Sequence, residues 1–152
     1  MQKGFATLEL VLVMLIIVVL AGAAIPNTVR VLDRVALDYE TKRLYTDLRA
    51  LQAYDRMTNM RDSHFYTAGD DESFVLNVSA GKYVVETNAT GEIHSAHYFS
   101  NGVTADKNMA IKFDDMGKVS SAISDRLHLN SRFGKRTAII FDSVGRFRGE
   151  RD

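Results

Sequence analysis

The chain has 152 residues, of which 46% are hydrophobic and 25% charged, a size and composition that suit one modest domain with a membrane segment and exclude global disorder. Lys+Arg and Asp+Glu both number 19, so any affinity for nucleic acid or lipid must come from a local patch. There is no Cys, which excludes a disulfide framework and a cysteine-ligated zinc site.

An apolar run fills residues 5–25, where the distinctly polar residues are Thr7 and Glu9. As a helix it would be roughly 31 Å long, close to the thickness of the hydrocarbon core of a bilayer. A cleaved secretory signal, with small residues at 21–24, and a plain membrane anchor both fit this run. Neither explains Glu9, because a carboxylate in hydrocarbon costs on the order of 2–3 kcal/mol.

A third interpretation rests on the residues around Glu9. The stretch GFATLE at residues 4–9 resembles the class III signal of type IV pilins and pseudopilins, and Pro26 stands where pilins commonly carry a helix-kinking proline. The resemblance implies that a prepilin peptidase cleaves between Gly4 and Phe5 and that the new N-terminal Phe5 is methylated. ATL at residues 6–8 replaces the more frequent Thr-Leu-Ile, but Glu9 keeps its place as the fifth residue of the mature chain.

In a filament of stacked helices, Glu9 would neutralise the charged amino terminus of a neighbouring subunit's Phe5. In a low-dielectric core such a pair is strong and an unpaired member is disfavoured, so Glu9 would select subunits in axial register. The alternative is that Glu9 only stabilises the N-terminus of its own helix. Lys3 favours a cytoplasmic N-terminus, as in a single-pass protein of the bacterial inner membrane.

After Pro26 the composition becomes highly charged, and leucines recur at spacings of three and four. This stripe predicts an amphipathic helix that continues the apolar run to about Arg61 and packs on a sheet; its members are Leu37, Leu44, Leu48 and Leu51. The charged residues between them are interpreted as a solvated face. The polar segment 61–72 is predicted to be a loop.

From residue 73 onward the pattern shifts toward a period of two, which predicts six to eight short strands. Candidate strands lie at 74–78, 82–86, 94–99, 110–113, 119–123, 126–130 and 137–141. Turn signals lie at 79–81, 101–102, 114–117, 133–135 and 143–145. The sequence therefore predicts an α+β domain in which a long N-terminal helix packs on antiparallel sheet.

Two late stretches narrow the resemblance. AIKFDDMGK at 110–118 and AIIFDSVGRFR at 138–148 look like the late β-hairpins of the GspH/FimT family, and DLR at 47–49 is similar to its helical element. That family comprises minor pseudopilins of type II secretion and minor pilins of type IV pili. The resemblance implies a pilin-like fold with a cleaved leader at 1–4, an assembly helix at 5–25, its amphipathic continuation at 26–61 and a β-rich domain at 62–152.

The resemblance implies a structural subunit, not an enzyme, that initiates or caps a filament of a type II secretion or type IV pilus system. Its partners would be other pilins or pseudopilins, the prepilin peptidase and the inner-membrane assembly platform, and no cofactor is implied. The sequence has no nucleophile elbow, phosphate-binding glycine loop or spaced His/Glu zinc motif. The alternative to a filament subunit is a simple membrane-anchored domain.

The C-terminal region suggests a second function, since a Gly-Arg-x-Arg sequence is associated in FimT-like pilins with binding DNA during natural transformation. GRFR at 145–148 matches it, and residues 126–149 hold six Lys/Arg against one acidic residue, Asp142. In a strand, two arginines would share one face with Phe147 on the other. The alternative is a structural Gly-Arg turn with solvated arginines. The candidate DNA-binding residues are Arg132, Lys135, Arg136, Arg146 and Arg148.

Metal binding is not expected. His94 and His97 fall on a predicted strand, where residues three apart face opposite sides. The acidic stretches at 70–72 and 114–115 lack the alternating ligand spacing of a calcium loop and are interpreted as turns.

Overall fold

The computed structural model describes residues 3–62, 73–114, 116–119, 126–142 and 145–151. Within them there is one helix, α1 (Lys3–Asp62), followed by eight strands. The strands are β1 (Phe74–Ser79), β2 (Lys82–Thr87), β3 (Ile93–Tyr98), β4 (Thr104–Ala105), β5 (Met109–Lys112), β6 (Arg126–Asn130), β7 (Arg136–Phe141) and β8 (Phe147–Arg151). The protein is therefore α+β, as the sequence predicts.

Helix α1 is continuous over its 60 residues. It continues through position 26, so Pro26 does not end it, although proline removes one backbone hydrogen bond from a helix. A kink at Pro26 stays a prediction. The helix ends at Asp62, and the rest of the predicted loop lies outside the described residues.

The described strands form two antiparallel four-stranded sheets, with orders β3-β2-β1-β5 and β4-β6-β7-β8. The sequence predicts the antiparallel hairpins but not their division into two sheets, because strand periodicity carries no information about distant pairing. The two-residue strand β4 was also not predicted, since it is too short to show a period. Val119 pairs with Phe113 in an isolated bridge, and the rest of the predicted strand at 119–123 lies outside the described residues.

The core lies between α1 and both sheets. The four leucines of the predicted stripe are buried: Leu37, Leu44, Leu48 and Leu51. They contact a cluster with members from both sheets, including Leu76, Ile111, Leu129 and Ile139. Each such side chain, when fully buried, contributes about 1.5–3 kcal/mol of transfer free energy.

Three carboxylates continue the buried stripe of α1, which the sequence interpretation as a solvated face missed. Asp33, Glu40 and Asp55 are each at most 2% exposed. They follow the leucines at the same spacing of three and four residues, which is the signal that could have found them. Charge alone is therefore a poor guide to exposure along this helix.

Candidate assembly segment and basic groove

The N-terminal half of α1 is not packed on the rest of the chain. Every side chain described between positions 7 and 32 is exposed. Residues 10–20 are nevertheless all Leu, Ile, Val or Met. Among the described residues, α1 is one helix long and apolar enough to cross a membrane, and it lies near the N-terminus. The structure thus fits a single-pass membrane segment.

Glu9 lies in this exposed apolar half. Gly4 and Phe5 belong to the first turns of the same helix, and their side chains, like that of Pro26, lie outside the description. Residues four apart in a helix lie on one face, so positions 5 and 9 are neighbours along it. The roles of these residues in cleavage, methylation and assembly stay predictions.

The structure separates the predicted basic patch into two groups at opposite ends of β7. Arg132, Lys135 and Arg136 lie at the β6–β7 turn, whereas Arg146 and Arg148 lie at the β7–β8 turn and in β8. Strand β7 has six residues, so its ends are roughly 17 Å apart. A single compact patch of all five cations is therefore not formed.

The strand geometry around Arg146 and Arg148 is as predicted. Phe147 is 7% exposed and packs edge-on against Tyr45 of α1, with the ring centroids 4.8 Å apart. Both arginines are exposed, and the Arg146 guanidinium lies 3.7 Å from the carboxylate of Asp142. This weak surface pair leaves the Arg146 side chain 81% exposed.

Helix α1 brings two further arginines to the same place, which sequence reasoning missed. Arg49, Arg56, Arg146 and Arg148 line one open groove of about 1100 Å³ between the helix and β8, beside Asp142. Arg49 donates to the Tyr45 hydroxyl, 2.9 Å away. Arg56 donates to the backbone carbonyl of Met116 at 3.1 Å. Four guanidinium groups against one carboxylate make this groove suited to a polyanion such as a phosphodiester chain.

The floor of this end of the molecule is built from two turns with the same chemistry. In the turn FDDMGK at 113–118, the amide of Gly117 donates to the carbonyl of Asp114, and in FDSVGR at 141–146 that of Gly145 donates to Asp142. The side-chain amide of Gln52 donates to the carbonyls of Gly117 and Gly145, at 2.5 and 2.7 Å. One residue of α1 therefore holds both turns.

The Asp-Leu-Arg element at 47–49 divides its side chains among three surroundings. Asp47 accepts a hydrogen bond from the hydroxyl of Tyr83, Leu48 is in the core, and Arg49 lines the groove. Burial and the neighbouring Asp47 carboxylate together raise the pKa of the Tyr83 hydroxyl above its ordinary range. The element thus joins α1 to β2 and to the basic groove.

Glu40 joins α1 to the end of β3. Its carboxylate is fully buried and accepts hydrogen bonds from the amide and hydroxyl of Ser100, at 3.0 and 2.5 Å, and from Nε2 of His97 at 2.7 Å. Burial raises the pKa of Glu40, but the hydrogen bonds outweigh burial and the net pKa is lowered. Glu40 is therefore a charged anchor between helix and sheet.

The prediction that His94 and His97 face opposite sides of their strand is wrong. A β-bulge shifts the register between β2 and β3, where Val85 pairs with Ser95 but Glu86 pairs with Ile93. The extra residue is His94, so the alternation is reset. His94 bonds Thr87 at 2.7 Å and packs on Phe74, whereas His97 bonds Glu40.

Each histidine thus has its own partner on the helix-facing side of the sheet. No group of three or more His, Asp or Glu suited to a metal occurs within the described ranges. Asp114 acts as a turn residue, since its carboxylate accepts from the amides of Met116 and Lys118. The acidic stretch at 70–72 and Asp115 lie outside the description.

Comparison of the chain with protein-family profiles, with characterised proteins and with solved structures returned no match in any of the three. The function must therefore be argued from these residues and their geometry.

Proposed function

We propose that the protein is a minor pilin or pseudopilin, cleaved after Gly4, methylated at Phe5 and assembled into a filament through the apolar half of α1. The observation that supports this most is the division of α1 into two halves. One half packs on the sheets, and the other exposes a continuous apolar surface. Apolar surface of this extent requires cover by lipid before assembly and by neighbouring helices after it.

Glu9 favours a filament over a plain anchor. A carboxylate within an apolar helix is retained where it has a partner, and one supplied by a second copy would be the methylated amine of Phe5. Under this proposal the N-terminus is cytoplasmic, the β-domain lies outside the cytoplasm, and the filament serves a type II secretion or type IV pilus system. The subunit would act in initiation or at the tip.

Processing can be tested on the protein purified from cells that contain a prepilin peptidase. The intact mass should correspond to a chain that begins at methylated Phe5. A chain that begins near Ala24 would identify a secretory signal, and an unprocessed chain would identify a simple anchor. Either result would contradict the proposal.

Assembly can be tested separately with Glu9→Ala, with Thr7→Ala as a matched control in the same helix. Glu9→Ala should be cleaved and methylated normally but should lose most of its incorporation into filaments, since the neighbouring amine would lack its partner. Glu9→Asp should restore part of it. Equal incorporation of Glu9→Ala and wild type would refute the pairing.

A second candidate function, DNA binding during natural transformation, is favoured by the basic groove. Arg49 and Arg56 add two cations to Arg146 and Arg148 in one open concavity. Each phosphate contact releases counterions, so a groove that makes about four contacts should show a strongly salt-dependent affinity.

The separation of the basic residues supplies a matched control for this function. In a gel-shift series with the full chain in detergent, Arg146→Gln/Arg148→Gln should weaken DNA binding and lower its salt dependence by about two contacts. Arg132→Gln/Lys135→Gln, at the other end of β7, should leave both unchanged. If wild type shows no salt-sensitive affinity, or if the two variants behave alike, the groove is not a DNA site.

A further inference from the structure

The β6–β7 turn, residues 131–135, lies at the end of the domain nearest to the apolar half of α1. Contacts along the helix set this direction. Gln52 bonds the β7–β8 turn, Tyr45 bonds the carbonyl of Phe147, and Asp33 accepts the amide of Arg132 at 3.2 Å. The β6–β7 hairpin therefore runs along α1 with its turn toward the N-terminus. Asp33 is eight residues beyond position 25, which is roughly 12 Å along the helix axis.

The turn presents an aromatic ring among cations. Phe133 is 51% exposed, and the Arg132 guanidinium lies 5.9 Å from the centre of its ring. Lys135 and Arg136 beside it are exposed. On the adjoining part of α1, Arg30 and Arg34 are exposed as well.

This end of the domain carries a local excess of positive charge. Residues 25–35 and 131–136 together contain five Lys/Arg and one acidic residue, Asp33. Asp33 is 2% exposed and binds the backbone of the turn, so its charge is not presented at the surface. The whole chain is neutral, which makes this five-cation surface a local feature.

We propose that this membrane-proximal surface, made of Arg30, Arg34, Arg132, Phe133, Lys135 and Arg136, docks on the anionic phospholipid headgroups of the bilayer that α1 enters. Guanidinium and ammonium groups bind lipid phosphates, and an aromatic ring flanked by cations is typical of a side chain seated at a membrane interface. The inference rests on the proposed insertion of α1. It gives the two groups of C-terminal cations different partners.

The helix tether favours lipid over nucleic acid for this surface. Because α1 continues without a break from the apolar half to Asp33, the headgroups are held within roughly 12 Å of the turn and contact becomes intramolecular. Nucleic acid has no such tether here. The docked domain would hold the subunit at a fixed depth in the membrane before assembly.

The experiment uses the full chain, which has no Cys, reconstituted in vesicles of phosphatidylcholine with or without phosphatidylglycerol. A polarity-sensitive fluorophore is attached to single cysteines at Phe133→Cys, at Met116→Cys and at Ile17→Cys. Met116 is 71% exposed at the opposite end of the domain, and Ile17 is 57% exposed in the apolar half of α1. Quenching by nitroxide-labelled lipids then reports which positions reach the bilayer.

Labels at positions 17 and 133 should be quenched and the label at 116 should not. Quenching at 133 should need phosphatidylglycerol and should fall in high salt. Arg132→Gln/Lys135→Gln/Arg136→Gln should weaken the contact by about fivefold for each cation removed. The charge-conserving Arg132→Lys/Lys135→Arg/Arg136→Lys and the distal Arg146→Gln/Arg148→Gln should both retain it.

The outcomes separate this inference from the function on which it rests. If position 17 is not quenched, the insertion of α1 fails and the inference fails with it. If 17 is quenched but 133 is as weakly quenched as 116, or if quenching at 133 ignores lipid charge, headgroup docking is overturned alone. Loss of quenching at 133 on adding duplex DNA at the same salt would assign the surface to nucleic acid.

Discussion

Gly145 stands where two turns meet. Its φ angle is +81°, in the left-handed region, and a Cβ placed on it would lie 2.1 Å from the carbonyl oxygen of Gly117. Gly134 has a similar φ of +78°, but a Cβ placed there would meet nothing within 4 Å, and Gly149 has neither constraint. These three glycines separate backbone strain from steric contact.

Gly145→Ala is expected to lower the free energy of unfolding by at least about 3 kcal/mol, because strain adds to a backbone clash that cannot relax by side-chain rotation. Gly134→Ala should cost about 1–2 kcal/mol from strain alone, and Gly149→Ala little. Urea unfolding of the three variants in detergent measures this order. Equal losses at 145 and 134 would show that the two turns do not press on each other.

The Glu40 carboxylate predicts an acid sensitivity. Its folded-state pKa lies below the ordinary value of 4.5, so its stabilisation is present above about pH 4.5 and is lost as the pH falls through the folded-state value. Glu40→Gln should lower the free energy of unfolding by about 2 kcal/mol at neutral pH and flatten its acid dependence. Unfolding midpoints of both proteins across the acid range test this, and parallel pH curves would exclude Glu40 as the cause.

At the scale of elements, α1 determines the arrangement of the domain, because it contacts both sheets and both late turns. Gln52 shows this most directly, with one side-chain amide that donates to two carbonyls of different hairpins. A side chain that cannot donate there would leave both carbonyls without this partner.

Gln52→Leu should therefore destabilise the domain by about 2 kcal/mol and loosen the two turns more than the rest. Hydrogen exchange should accelerate at the amides of Gly117 and Gly145, while the β1–β2 hairpin keeps its protection. Gln52→Asn, which is shorter, should act in the same direction. Uniform acceleration across both sheets would instead indicate a global loss of stability.

At the scale of the whole molecule, the globular part is packed without help from the apolar half of α1. Since every described side chain between 7 and 32 is exposed, their removal deletes no core contact. A chain of residues 29–152 retains Asp33 and its bond to the β6–β7 turn.

This shortened chain should be soluble without detergent and should unfold cooperatively within a few degrees of the full chain in detergent, since about 1 kcal/mol corresponds to a few degrees at this size. Circular dichroism and size-exclusion chromatography measure both properties. A shortened chain that is molten or aggregated would show that the apolar half also stabilises the domain.

Local patterns predicted much of the architecture. The leucine stripe predicted the packed face of α1, the β1–β2 hairpin and its two-residue turn lie where the alternation predicted them, and the glycine-containing turns at 102, 117, 134 and 145 have positive φ. These features depend on residues close in sequence. The bulge at His94 and the division into two sheets depend on pairing between strands, so local periodicity could not predict them.

The candidate site shows the same division. The sequence by itself determined an apolar helix with Glu9 inside it, two similar Phe-Asp-x-x-Gly turns and a basic C-terminal region. Only the tertiary structure decided that the basic region divides at β7, that Arg49 and Arg56 join one half of it, and that Asp33, Glu40 and Asp55 are buried. The reason is physical: a side chain's type is written in the sequence, but its surroundings depend on residues far away in the chain that folding brings against it.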